Sequence, residues 1–186
     1  MSKLFWAARA VLYKPFCRKI DFPSYIGKPL FMDGLHHLCI GKRVRIFPNI
    51  RIEAMDGGTV MIENNVYIGQ NCHITSGSNE VRIGEGSAVM ANVCITNIDH
   101  NYEQIGVPVL EQGHKTRNTK IGMNCFIGHN AVIQAGVELG DHIIVGAGAV
   151  VNRGKYPSNC VLAGVPARII KKYNYDIGKW ESCNSK

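Results

Sequence analysis

Aliphatic side chains recur at every sixth position along Ile121, Ile127, Ile133, Leu139, Val145 and Val151. Neither strand alternation nor the roughly 3.6-residue helical turn produces this spacing. Glycine follows four of these anchors directly, at Gly122, Gly128, Gly140 and Gly146. A smaller apolar residue stands four places after an anchor, at Cys125, Ala131, Val137, Ile143 and Ala149. Each hexad therefore reads as a short flat strand plus a corner. The anchor and the small residue point inward, and glycine takes backbone geometry that a side chain would oppose at the bend. Three hexads close a triangular coil, and coils stacked roughly 4.8 Å apart pair backbone to backbone around one aliphatic column.

The pattern returns upstream in three other phases: Ile40, Ile46, Ile52; then Ile62, Ile68, Ile74; then Ile83, Val89, Ile95. Steps of ten residues from Ile52 to Ile62 and nine from Ile74 to Ile83 imply short corner insertions. From Ile95 to Ile121 the step is 26 residues, one hexad plus an excursion of twenty over residues 101–120. Long loops on repeat scaffolds are disproportionately functional. The expected fold is all-β, a parallel β-helix of about five coils over residues 31–156.

An uncapped solenoid exposes unpaired strand edges, so its ends need other structure. Residues 1–30, with Leu4, Phe5, Trp6, Val11 and Leu12, read as an amphipathic helix and lead-in that cap the first coil. Lys14, Arg18 and Lys19 share this segment, which makes a weak peripheral membrane contact through residues 1–20 the second reading. Beyond Tyr156 the hexads fade. Residues 157–186 read as an exit segment and tail, with helix expected around Tyr173 to Trp180.

Composition narrows the partners. A net charge of +7 suits an anionic one, such as a phosphorylated cofactor, a glycan, nucleic acid or a membrane surface. The seven cysteines are scattered, without a C-x-x-C pair, which suggests neither a disulfide framework nor a zinc knuckle and fits the cytoplasm. Arg9 interrupts the first apolar run and no small-residue cleavage site follows it, so neither a signal peptide nor a membrane-spanning helix is expected. His36, His37, His73, His114 and His142 could in principle recruit a metal, but no H-x-x-x-x-H spacing occurs among them to build a three-histidine zinc site. No metal is expected. Cys72 and Cys125 occupy the small inward position, where a thiol is core packing and not a nucleophile.

His100 ends its hexad immediately before the excursion, at the loop base on the outside of the prism. An imidazole there can take a proton from a hydroxyl as that oxygen attacks a carbonyl. The surrounding words are specific: ITNIDHNY at 95–102, the loop closing in Gln112-Gly113, IGMNCFIG at 121–128, and AGVPARII at 163–170. In this order they resemble the hexapeptide-repeat acyltransferases, in the maltose and galactoside acetyltransferase branch, nearest the O-acetyltransferases of capsule and lipopolysaccharide clusters. The likeness covers about residues 60–172.

This resemblance implies a left-handed winding, a homotrimer, acetyl-coenzyme A in a groove between prisms, and direct attack by a sugar hydroxyl with His100 as general base. It also implies that Asn71 holds the acceptor and that nucleic acid is not a partner. Phe126 matches a tryptophan beside the pantetheine arm, Ala147 a small residue facing that arm, and Pro166 a residue against adenine. Arg168 and Lys171 match phosphate contacts. His129 departs from the small residue usual beside the cofactor. N-acetylation of an amino sugar and a non-catalytic β-helix scaffold stand as alternatives, and peripheral location at the inner membrane face accompanies the cytoplasmic expectation.

Overall fold

The computed structural model describes residues 2–183; Met1 of the predicted cap and residues 184–186 of the predicted tail lie outside the described residues. The chain winds as a left-handed parallel β-helix with three sheets as the faces of a triangular prism. The first face carries seven strands, from Lys19–Ile20 through Thr119–Ile121 to Gly154–Tyr156. The second runs from Tyr25–Ile26 through Phe126–Ile127 to Cys160–Gly164, and the third from Phe31–Asp33 through Cys94–Thr96 to Val150–Val151.

The anchors stack in register on each face. Ile62, Ile83 and Ile121 form one column, Ile68, Val89, Ile127 and Val145 a second, and Ile52, Ile74, Ile95, Ile133 and Val151 a third. Nearly all are fully buried, so the core is one continuous aliphatic rod. Burying each such side chain contributes about 1.5–3 kcal/mol, and parallel pairing satisfies the backbone between coils.

The prism has about seven turns, two more than the repeat pattern predicts. The additional anchors are Ile20, Ile26 and Met32 at one end and Tyr156 and Leu162 at the other; each set keeps the step of six within itself, but eight residues separate Met32 from Ile40 and five separate Val151 from Tyr156. Met32 and Tyr156 are only partly buried because the column is open there, so packing does not demand a β-branched aliphatic. The first coil thus begins at Lys19, inside the segment predicted as cap. The tail is not helical. Ala167–Asn174 pairs antiparallel with Cys160–Gly164, and Lys179–Ser182 pairs with Ala167–Asn174, extending the second face to nine strands. This hairpin covers the last strand edge with backbone partners, which a helix could not supply.

The corners divide their work differently from the prediction. The residue three places after an anchor takes the left-handed conformation, at Asn49, Asn65, Asn71, Asn92, Asn124, Asn130 and Asn159. Asparagine tolerates this φ better than most side chains. Glycine one place after the anchor answers a different need. A Cβ on Gly128 would stand 2.5 Å from the backbone nitrogen of Ala147 in the next coil, so close coil stacking excludes it.

The helix Ser2–Tyr13 closes the first end, packing against Tyr25–Ile26 and Lys19–Ile20. Arg9 Nη1 donates to the edge carbonyl of Ile26 at 2.8 Å, capping a strand edge that no coil pairs. Among the described residues no helix is long and apolar enough to cross a membrane.

Candidate active site

The excursion is a hairpin. Ile98–His100 pairs antiparallel with His114–Thr116, and the chain rejoins the prism at Thr119. Its root is pinned by two fully buried polar side chains. Asn97 Oδ1 accepts from the Gly77 backbone at 2.7 Å while its Nδ2 donates to Ser76 Oγ at 3.1 Å. Thr119 Oγ1 donates to the Thr96 carbonyl at 2.9 Å and accepts from the Gly136 backbone at 3.1 Å. Buried polar groups satisfied on both sides lock a backbone geometry, because breaking one bond strands its partner.

The loop beyond folds around one amide. Gln112 Nε2 donates to the carbonyls of Gln104 and Val107, and its Oε1 accepts from the Gln104 backbone. Asn101 Nδ2 donates to the Gln112 carbonyl at 3.0 Å, while its Oδ1 is buried with no partner among the described residues. His100 is thereby placed next to a rigid root, with its side chain exposed. The facing residue across the hairpin is His114, with ring centroids 6.2 Å apart, and His114 Nε2 lies 3.3 Å from Asp56 Oδ2. Asp99 turns away toward Arg117, at 3.8 Å, as strand alternation requires.

The cofactor residues implied by resemblance gather on the second face. Phe126 projects outward and is 43% exposed, in register between Ala88 and Ile144. His129 and Ala147 lie on the corner that follows this face, with the Gly148 backbone donating to the His129 carbonyl. Pro166, Arg168 and Lys171 lie at and on the added strand Ala167–Asn174, all exposed. An exposed aromatic beside apolar strand positions, with two exposed cations beyond, suits a ligand with an apolar arm and a phosphorylated end.

These residues and His100 occupy different edges of one prism. His100 follows the third face, whereas the cofactor set lies on the second face and its trailing corner. Asn71 also sits on that trailing corner, not beside the His100 hairpin. Its amide belongs to a ladder, accepting from Asn49 Nδ2 at 3.1 Å and donating to Asn92 Oδ1 at 3.0 Å. The corner geometry accounts for Asn71 without an acceptor.

A polar cluster on the outer third face was not foreseen. Arg51 donates twice to Glu53, at 2.9 and 2.8 Å, and His73 Nε2 lies 3.0 Å from Glu53 Oε2 and 2.9 Å from Thr75 Oγ1. The Arg51 hydrogen bonds, with His73 adding to them against the opposing effect of burial, hold the Glu53 carboxyl down to about 2. Arg51 and His73 are register partners in adjacent coils, a 22-residue offset that equals the spacing of Ile52 and Ile74. The sequence signal existed, but only once coils were aligned on their anchors.

The thiols are poor nucleophiles. Burial pushes Cys72 and Cys125 up to about 11, so both are protonated near neutrality.

The family model for the hexapeptide repeat of succinyl-transferase matches residues 59–97 and 118–153. The putative lipopolysaccharide biosynthesis O-acetyl transferase WbbJ of Escherichia coli K12 is 33% identical, with 89% of this chain and 84% of that protein covered. The galactoside acetyltransferase solved in complex with coenzyme A is 26% identical, with a TM-score of 0.59 over 89% of this chain and 70% of the other. The N-acyltransferase AntD from Bacillus cereus, solved with dTDP and 3-hydroxybutyryl-CoA, superposes with a TM-score of 0.80 at 18% identity over 95% and 93% of the two chains. That last likeness concerns the fold.

Proposed function

Because the chain belongs to the hexapeptide-repeat acyltransferases, we propose that it moves an acetyl group from acetyl-coenzyme A to a hydroxyl of a sugar in a surface polysaccharide or its precursor, with His100 as general base. The observation that carries this reading is the exposed imidazole of His100 at the pinned root of the one long hairpin leaving the prism. In the proposed step the acceptor hydroxyl oxygen attacks the thioester carbonyl carbon while His100 takes its proton. Collapse of the tetrahedral adduct breaks the carbon–sulfur bond, and the departing thiolate recovers that proton as free coenzyme A. Backbone amides near the coil corner would steady the oxyanion.

The separation of His100 from Phe126, Ala147, Pro166, Arg168 and Lys171 on one prism favours a site shared by neighbouring copies, as in a homotrimer. The excursion supports this assembly through its exposed apolar tip, where Ile105 is 97% and Leu110 84% exposed. The compartment in this reading is the cytoplasm, which suits seven free cysteines.

Release of free coenzyme A against a panel of sugar, oligosaccharide and amino-sugar acceptors tests the reading. His100→Ala should retain folding and acetyl-coenzyme A binding while turnover falls by roughly 10² to 10⁴. Near-normal turnover in that variant would refute the base. Preference for amino sugars would turn the reading to N-acetylation, and failure to bind acetyl-coenzyme A would favour a scaffold.

A further inference from the structure

The helix Ser2–Tyr13 buries one side and leaves the other uncovered. Trp6, Ala10 and Tyr13 face the prism, with Ala10 buried and Trp6 against Phe47 at 5.0 Å between ring centroids. On the opposite side Val11, Leu4, Ala8, Leu12 and Phe5 fall within an arc of roughly 120°, at about 100° per residue. Leu4 is 77%, Phe5 64%, Val11 53% and Leu12 71% exposed. A capping helix needs a single apolar side, so this second one is not required by the fold. Phe16 and Phe22, just beyond the helix, are exposed as well.

Charge selects what covers this end. Residues 1–20 contain Lys3, Arg9, Lys14, Arg18 and Lys19, and the first acidic residue is Asp21, which pairs with Lys19 at 2.9 Å. Lys3 further shares a recess of about 350 Å³ with Trp6, Arg43 and Arg45. A second copy of this chain docking through the same surface would set these cations against one another, which costs affinity. A surface with an apolar interior beneath anionic headgroups matches both the apolar arc and the cations around it.

We infer that the N-terminal end of the prism docks on an anionic phospholipid bilayer, with Leu4, Phe5, Val11 and Leu12 seated among the acyl chains. Lys14 and Arg18, just beyond the helix, lie at the headgroups. The contact is interfacial, since the helix is too short to span. It does not rest on acyl transfer, and the residues involved lie outside the proposed catalytic and cofactor sets.

Co-sedimentation of the full chain with vesicles of phosphatidylcholine alone, or mixed equally with phosphatidylglycerol, tests the inference. Binding to the anionic vesicles should exceed binding to the neutral ones, weaken as salt is raised, and fall by roughly fivefold for each of Lys14→Gln and Arg18→Gln. The double variant Leu4→Ser with Leu12→Ser should lose vesicle binding while its circular dichroism and its coenzyme A release with soluble acceptor stay unchanged. Equal sedimentation with both vesicle types overturns the inference, as does retained binding in the folded double serine variant. Loss of a solution oligomer in that variant, measured by light scattering without any vesicle binding in the wild type, would assign the face to a second copy instead. The charge variants alter only exposed side chains and keep the test decisive if the serine variant does not fold.

Discussion

The run Ile121 to Val151 and the hairpin Ile98 to Thr116 adjoin in the chain yet are held by different physics. In the run, every third of a turn repeats one solution: an anchor buried to completion, a small inward residue, and a left-handed corner at Asn124, Asn130, His142 or Gly148. No single side chain is indispensable to the shape, because each coil is templated by its neighbours. In the hairpin, no template exists. Its form depends on Asn97 and Thr119 at the root and on Gln112 and Asn101 beyond, and it leaves Ile105 and Leu110 in solvent. Repetition yields a rigid surface, and a departure from it yields the exposed side chain of His100 beside a pinned root.

Substitutions can sharpen this contrast, beginning with the column. Ile127→Ala should destabilise the protein by about 2–5 kcal/mol in denaturant unfolding, since neither neighbouring coil can collapse into the void without breaking register. An effect below 1 kcal/mol, roughly, would mean that the stack is softer than close packing implies. At the hairpin root, Asn97→Ala strands the Gly77 amide and should cost about 1–3 kcal/mol. It should also lower kcat far more than Ile127→Ala does at a temperature where both remain folded. Equal kcat in the two variants would break the distinction between scaffold and site.

The Glu53 cluster lies on the scaffold side and has a pH signature. The Glu53 carboxyl is held below its ordinary value, so its stabilising contribution is complete above about pH 4.5 and is lost as pH falls toward about 2. Thermal melts of Glu53→Gln and wild type should therefore differ near neutrality and converge in that acid window. Smallest of all is Asn71→Gly, which keeps the left-handed corner available and should change stability by only a few tenths of a kcal/mol. If acetyl acceptance also stays within a factor of about two, Asn71 is a corner residue; a large rise in the acceptor KM would support its acceptor role.

The order of amino acids determined the prism, the extent of its clearest coils, the position of the one long interruption and the placing of His100 at its base. All of these follow from a local six-residue period, which survives because each hexad must bury the same kind of side chain. The end coils are not legible in the pattern, because Met32 and Tyr156 replace aliphatic anchors and the step of six is broken on joining the run, and the tail reads as helix only while its partner strand is unknown. Tertiary structure alone decided that Asn97 and Thr119 pin the hairpin, that Arg51, Glu53 and His73 meet, and that His100 and Phe126 lie on different edges. It also decided that the first helix is apolar on the side facing away from the prism. Each of these depends on which coil stacks on which, or on which side of an element meets solvent. Separations of about twenty residues along the chain become direct contacts only after the winding closes.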